Sequence, residues 1–365
     1  MLLPQPPEES QGPSAKTSGE VFYNPAMAGS RTRSVLLFRY AMEEGMLGDG
    51  TVYALDGLTA SGLRARRWLN ELPSKMSSRI AATIVDLEQD ALDWAASSHN
   101  EFPPSHGNGT LDSYRGDLRG AVLRSGRHWV DIDPYGSPVP FIDSAIQSMA
   151  RSSVMEVSAT DTAALTGSSK TALMRRYGAR VRTDCLAHDS GMRVMLAVIS
   201  RIAARHDRSI SPLVSVWDSH HLRVSFRVTK SVSSANSLEE SIGWRVFSPS
   251  KDEFLASIDA GLQVESQVEF LPMHCMLPLN FPVDRNDPRV SGPLWIGPTG
   301  DRGAMSSMSE ERALESCGPV FTEEDPVGWD AKRFETERRR VCRSVRHFSE
   351  ESQVIGASHL VVVDD

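Results

Sequence analysis

The chain has 365 residues, 40% of them hydrophobic and 24% charged, with a formal net charge of -8 and four widely separated cysteines. That is long enough for two domains of ordinary size and apolar enough for packed cores. No apolar run approaches the roughly eighteen residues of a membrane span. The opening Met1-Leu-Leu-Pro-Gln-Pro-Pro-Glu-Glu is not a secretion signal, and the cysteine spacing argues against a closed zinc site or a disulfide framework. A cytoplasmic protein, without membrane or metal and monomeric, is expected.

Residues 1–18 are rich in Pro, Ser, Glu and Gln and read as a flexible tail. From residue 51 short apolar runs alternate with amphipathic stretches. Thr51 to Asp56 reads as a strand and Gly62 to Leu72 as a helix. Ile80 to Asp86 is a second strand, followed by a helix from Glu88 to about His99. A short strand follows near Leu111 to Tyr114, a fourth at His128 to Asp133, a helix from about Val139 to Ala150, and a fifth strand at Val154 to Thr160. Strand and helix taking turns imply a parallel sheet covered on both faces.

Thr183 to Arg205 carries a helical stripe of Met192, Met195, Leu196, Ile199 and Ile202. Leu213 to Trp217 and Leu222 to Val228 read as two strands whose link, Asp218-Ser-His-His221, suits an antiparallel hairpin. A hairpin closing a doubly wound sheet is the topology expected of a class I Rossmann-like methyltransferase. The polar run Ser231 to Ser237 marks a domain boundary. It divides a domain at 19–230 from a smaller α+β domain at 238–365, where the pattern is less regular and a Pro-rich segment runs from Leu271 to Pro298. A charged helix is predicted from Ala331 to about Val345.

The negative total charge counts against a nucleic-acid partner, but its distribution does not. From Thr171 to Lys230 eleven Lys and Arg face four Asp and Glu, and local fields steer a polyanion. His274-Cys275 is an isolated pair, read as a buried thiol.

Asp133-Pro134-Tyr135 is the most informative segment. It stands just past a buried strand, where open parallel sheets bind ligands. An exocyclic base amine is a poor nucleophile because its lone pair is delocalised into the ring. A carboxylate and a backbone carbonyl can accept its two protons and turn the lone pair outward, and an aromatic ring can stack on the base. An ordinary Asp-Pro-x-Gly turn is the competing reading. Asp56-Gly-Leu-Thr-Ala-Ser-Gly62 lets backbone approach a ligand at a helix N-terminus. Asp86 ends the next strand, where a carboxylate typically accepts ribose hydroxyls, and Asp117 ends the third strand region as a candidate acceptor for an adenine amine. For each acid, helix capping or surface solvation is the alternative.

These residues extend into longer motifs: Val21-Phe-Tyr-Asn-Pro25, Asp56 to Arg64, and Val130-Asp-Ile-Asp-Pro-Tyr-Gly-Ser-Pro138. Ala159-Thr-Asp161, Arg176-Tyr-Gly-Ala179, His188-Asp-Ser-Gly-Met-Arg193 and Gly292-Pro-Leu-Trp-Ile-Gly297 follow in order. The chain thereby resembles the tRNA guanine-N2 methyltransferase family that modifies guanine 26 of tRNA. The resemblance implies S-adenosyl-L-methionine as cofactor and tRNA as partner. It places Arg31 and Arg64 at the carboxylate end of the cofactor, Asp86 at its ribose, and Asp117 with the backbone of Leu118 at its adenine. Asp133 and Pro134 form the catalytic turn, and Phe22 and Tyr135 hold a flipped guanine. Asp131, on the same side of the strand as Asp133, is expected to orient the loop.

Asp161 is equally readable as a helix N-cap, His188 as a core histidine, and His220 and Arg223 as supporting or RNA contacts. The C-terminal part departs from the family pattern. His347-Phe-Ser-Glu-Glu-Ser-Gln-Val-Ile-Gly356 carries two acids where a basic segment is usual, leaving Arg338, Arg339, Arg340 and Arg343 as the local positive charge. The competing functions are methylation of another tRNA guanine, a catalytically silent RNA-binding relative, and a DNA adenine methyltransferase.

Overall fold

The computed structural model describes residues 21–122, 126–218, 220–263, 271–320 and 330–354. The tail predicted for 1–18 lies outside them, as do 264–270, 321–329 and 355–365 of the segment beyond 238.

Ten strands among the described residues form two sheets. They are β1 (Val52–Gly57), β2 (Ile80–Asp86), β3 (Thr110–Arg115), β4 (Arg127–Ile132), β5 (Met149–Ala159), β6 (Arg208–Asp218), β7 (His221–Lys230), β8 (Ile242–Phe247), β9 (His274–Pro278) and β10 (Val290–Trp295). The first seven run in the order β3-β2-β1-β4-β5-β7-β6, and the last three in the order β10-β8-β9. β3, β2 and β1 pair in parallel, whereas β7 is antiparallel to both β5 and β6. The predicted sheet with a terminal antiparallel hairpin is therefore present. Each predicted strand overlaps an observed one, and for β1, β2 and β4 a buried apolar run ending in an acid leaves few other readings.

The chain divides into two compact units, 21–131 with 303–353 and 132–302. This division does not follow the polar run at 231–237. That run is itself a short helix, Val232–Asn236, because the Ser231 side chain accepts the Ser234 N–H and caps it.

In the first unit the core is aromatic. Phe38 stacks on Trp129 at 4.2 Å between centroids, Trp68 meets both edge-on, and all three are fully buried. Trp68 Nε1 donates to Ser34 Oγ at 3.1 Å, which satisfies its indole proton. Phe38 and Ser34 belong to a helix, Ala28–Glu43, that the sequence reading did not predict. Its buried residues include Ser30, Arg31, Thr32, Arg33 and Ser34, so polar groups interrupt any apolar stripe.

In the second unit the Ala187–Ala204 helix begins four residues later than predicted. β8, β9 and β10 occupy the region expected to be irregular, with Trp244, Val246, Phe254, Cys275, Leu277 and Val290 packed as their core. Cys275 is 2% exposed, and burial pushes its thiol up to about 12. Among the described residues no group of three or more His, Cys, Asp or Glu could hold a metal ion. No described helix is long and apolar enough to cross a membrane.

Candidate active site

The Val21-Phe-Tyr-Asn-Pro25 motif is the start of a helix. Asn24 Oδ1 accepts the Ala26 N–H at 3.0 Å, and Pro25 opens a short 3-10 turn that runs into Ala28–Glu43. Arg31 folds back over this turn, donating to the Asn24 carbonyl at 3.1 Å with its guanidinium 5.2 Å from the Tyr23 ring centroid. Phe22 is half-buried beside them. The far end of the chain braces the same segment. Arg340, on the Ala331–Arg343 helix, donates to the Pro25 carbonyl, and Arg33 donates to the Ser344 carbonyl at 3.1 Å. Arg340 is thus a structural tie, while Arg338, Arg339 and Arg343 are exposed.

The loop after β1 concentrates backbone strain. Leu58, Ala60 and Gly62 all have φ near +50 to +60° (60, 47 and 63°), a region costly for residues with a Cβ. A Cβ on Gly62 would also lie 2.8 Å from that of Ala95, so glycine is required there. The strained shape is held by two carboxylates. Asp56 accepts the Thr59 hydroxyl at 2.9 Å and the Ala65 N–H at 3.1 Å, and so caps the Leu63–Glu71 helix from the strand tip. Asp86 Oδ2 accepts the Ala60 N–H at 2.8 Å while Oδ1 accepts the Glu88 N–H at 3.1 Å. Each carboxylate oxygen carries a second lone pair, so Asp86 keeps acceptor capacity.

Arg64 and Asp131 form a buried pair, Nε to Oδ2 at 3.3 Å. Asp131 is fully buried, and its partner is now identified as Arg64. Asp117 accepts Nε and Nη2 of Arg119 and the Arg119 N–H, at 2.6–2.9 Å. These bonds hold its carboxyl down to about 2. Leu118 is buried against the tip of β1; a Cβ on Gly57 would meet its side chain at 2.7 Å.

In the second unit Asp133 is half-buried, Pro134 buried, and Tyr135 74% exposed. Partial desolvation and the adjacent Asp133 charge both raise the Tyr135 phenol, keeping it neutral. The turn is fastened at Gly136, whose N–H donates to Thr160 Oγ1 at 2.6 Å while the Thr160 N–H returns a bond to the Gly136 carbonyl at 3.0 Å. Asp161 occupies the N-cap position of Thr162–Leu165 without capping it. Its carboxylate instead accepts the Tyr177 hydroxyl (2.7 Å) and Arg176 (3.0 Å), which corrects the N-cap reading. Thr160, Asp161 and Tyr177 lie in stretches the resemblance quoted, but nothing in their residue types assigned them this contact.

His188 is exposed and stacked on Trp217 at 4.4 Å, so it is no core histidine. Arg193 is buried on Asp189 (2.8 Å) and donates to the Trp295 and Gly297 carbonyls at 3.1 and 2.9 Å. Arg223 is 3% exposed and engaged by Glu156 and Ser158, so it does not present itself to an RNA. With Arg208 also buried, the basic excess at 171–230 is partly internal. Arg175, Arg180, Arg205 and Lys230 remain exposed.

A family model described as N2,N2-dimethylguanosine tRNA methyltransferase matches residues 7–321. A tRNA (guanine(26)-N(2))-dimethyltransferase of Pyrobaculum neutrophilum is 31% identical over 310 residues, covering 84% of this chain and 76% of that protein. The enzyme of the same name from Pyrococcus abyssi is 27% identical over 303 residues, 80% and 70% respectively. Among solved structures, Trm1 from Pyrococcus horikoshii, determined with S-adenosyl-L-methionine, has the same fold. Its TM-score is 0.69 at 23% identity, with 93% of this chain and 79% of that one covered.

Proposed function

Because the chain belongs to the N2,N2-dimethylguanosine tRNA methyltransferase family, we propose that it methylates the exocyclic N2 amine of guanine 26 in tRNA, using S-adenosyl-L-methionine. The observation that carries this reading is the Asp133-Pro134-Tyr135 turn just past β4, with its carboxylate half-buried and its ring exposed.

The residues of the first unit fit the cofactor by their chemistry. Asp86 has lone pairs for ribose hydroxyls, Asp117 and the Leu118 backbone suit an adenine edge, and Arg31 and Arg64 suit a carboxylate. Bound there, the cofactor supplies an electrophilic methyl group on a sulfonium. The chain's own work is positioning. Asp133 accepts an N–H of the amine, so the lone pair rotates out of conjugation. Proline removes the N–H that would compete at the turn. Tyr135 stacks on a base drawn out of the tRNA, offsetting an unstacking cost of a few kcal/mol; Phe22 is an aromatic side chain suited by its chemistry to the same role. The methylated amine is acidic enough to release its proton to Asp133 or water. Methylation of tRNA, a C-terminal tRNA-binding role for residues 238–365, and a monomeric cytoplasmic enzyme form one consistent reading.

The test is incubation with an unmodified tRNA transcript and methyl-labelled cofactor, followed by digestion and nucleoside identification. Methylated guanosine at position 26 is expected. Asp133→Ala should abolish transfer while cofactor binding persists. Label in another nucleoside, or wild-type turnover in the variant, would refute the assignment.

A further inference from the structure

Resting on the reading of residues 133–138 as the amine-acceptor loop, we propose that Tyr177 is a positioning residue for that loop, acting through Ser137 and Asp161. Tyr177 ends the Lys170–Tyr177 helix and is 3% exposed. Its hydroxyl lies 2.9 Å from Ser137 Oγ and 2.7 and 2.8 Å from the two Asp161 oxygens. A phenol has one proton and a carboxylate only accepts, so Tyr177 donates to Asp161 and the Ser137 hydroxyl donates to Tyr177. Burial first, and then Asp161, hold the phenol far above its usual value, so this proton stays in place throughout the working pH range. Arg176 balances the Asp161 charge at 3.0 Å.

The relay ends two residues beyond Tyr135. It runs beside the reciprocal bonds between Gly136 and Thr160, so residues 136–137 are sewn to 160–161 by side chain and backbone together. The location matters because the Tyr135 ring is 74% exposed. The direction of that ring depends on where its backbone is anchored, and Gly136 and Ser137, the next two residues, carry the anchor. A base must meet the ring while its amine meets Asp133, two residues earlier. Slack in the anchor would misplace both contacts at once, and a displacement of about 1 Å can cost on the order of 100-fold in rate. Tyr177 touches neither substrate nor cofactor in this account; it acts through the loop.

The experiment compares wild type, Tyr177→Phe and Ser137→Ala in three measurements. These are kcat and KM for tRNA, the dissociation constant for S-adenosyl-L-methionine, and amide hydrogen exchange of the peptide covering 134–138. Tyr177→Phe should lower kcat about 10- to 100-fold. Ser137→Ala should act in the same direction more weakly, with cofactor affinity within about twofold and loop exchange several-fold faster in both. Asp161→Asn keeps an acceptor oxygen and should retain more activity than Asp161→Leu. Wild-type kcat in both folded variants overturns the proposal, even if their melting temperatures fall. So does unchanged loop exchange. Ser137 sits on the loop itself, so its variant decides the matter if Tyr177→Phe does not fold. If the wild type transfers no methyl to tRNA, the functional reading fails, while hydrogen exchange still judges the anchor.

Discussion

Replacing Arg193 by methionine separates architecture from chemistry in the second unit. The guanidinium is buried, pairs with Asp189 at 2.8 Å, and donates to the carbonyls of Trp295 and Gly297. Methionine keeps much of the stem's volume and removes every donor. Asp189, itself 6% exposed, would be left as an uncompensated buried charge, which costs about 3–5 kcal/mol. Two carbonyls would also lose partners, at up to about 1 kcal/mol each, partly relieved by water. A net loss of about 4 kcal/mol is a large share of a folding free energy of about 5–15 kcal/mol. At roughly 2–4 °C per kcal/mol, the thermal midpoint should fall by about 10 °C. Adding Asp189→Asn should recover part of this, since a neutral amide leaves no buried charge. Circular dichroism melts measure the fall, and methyl transfer is assayed well below the midpoint. A melting temperature within about 2 °C of wild type would refute the reasoning. If methyl transfer vanished at the same time, Arg193 would belong to the reaction.

Three further outcomes are expected. Gly136 has φ +77° with open space around its Cβ position, so Gly136→Ala should cost about 1–2 kcal/mol of backbone strain and slow methyl transfer without weakening cofactor binding, as rate and affinity assays would show. Cys185 is exposed whereas the Cys275 thiol is buried and pushed up to about 12, so a thiol reagent at pH 8 should label Cys185 in the native state and Cys275 only on unfolding; prompt native labelling of Cys275 would contradict the packing. Asp117 is held down to about 2 by its bonds to Arg119, so its contribution is complete above about pH 4 and is lost as pH falls toward 2. Because its side chain is 42% exposed, that contribution is below about 1 kcal/mol, and the stability gap between wild type and Asp117→Asn should close over this acid range in denaturant melts.

The centre of the large sheet was legible because β1, β2 and β4 are short apolar runs that end in Asp56, Asp86 or the Asp131-Ile-Asp133 step, each followed by turn residues and a helix. The helix at Ala28–Glu43 was not, because buried polar residues from Ser30 to Ser34 break its apolar pattern, and Thr32, Arg33 and Ser34 find partners in other elements, which a local pattern cannot register. β9 and β10 were hidden for a related reason. Their prolines, Pro278 and Pro293, suggest irregular chain, yet β10 pairs with β8 across a register shift between Ser291 and Leu294. The roles proposed for Asp133 and Tyr135 follow from residue type. The contact of Tyr177 could not be read that way, since a tyrosine closing an arginine-rich helix gives no sign of the carboxylate it will meet.

The matched stretches therefore carry two kinds of constraint. Arg193 of one stretch holds the end of Gly292–Gly297, and Arg180, just past the Arg176–Ala179 stretch, exchanges both backbone bonds with Gly292 at 2.7 and 2.9 Å. Those contacts build a frame and touch no reacting atom. A second set, Gly136 with Thr160 and Ser137 with Tyr177 and Asp161, ends on the loop itself. A substitution in the first set should lower stability and leave the rate per folded molecule intact. A substitution in the second should lower that rate with little loss of stability. Sequence matching scores both kinds alike. Only the destination of each hydrogen bond tells them apart, and so the loop-facing set is where changes in rate, as distinct from changes in abundance, should be found.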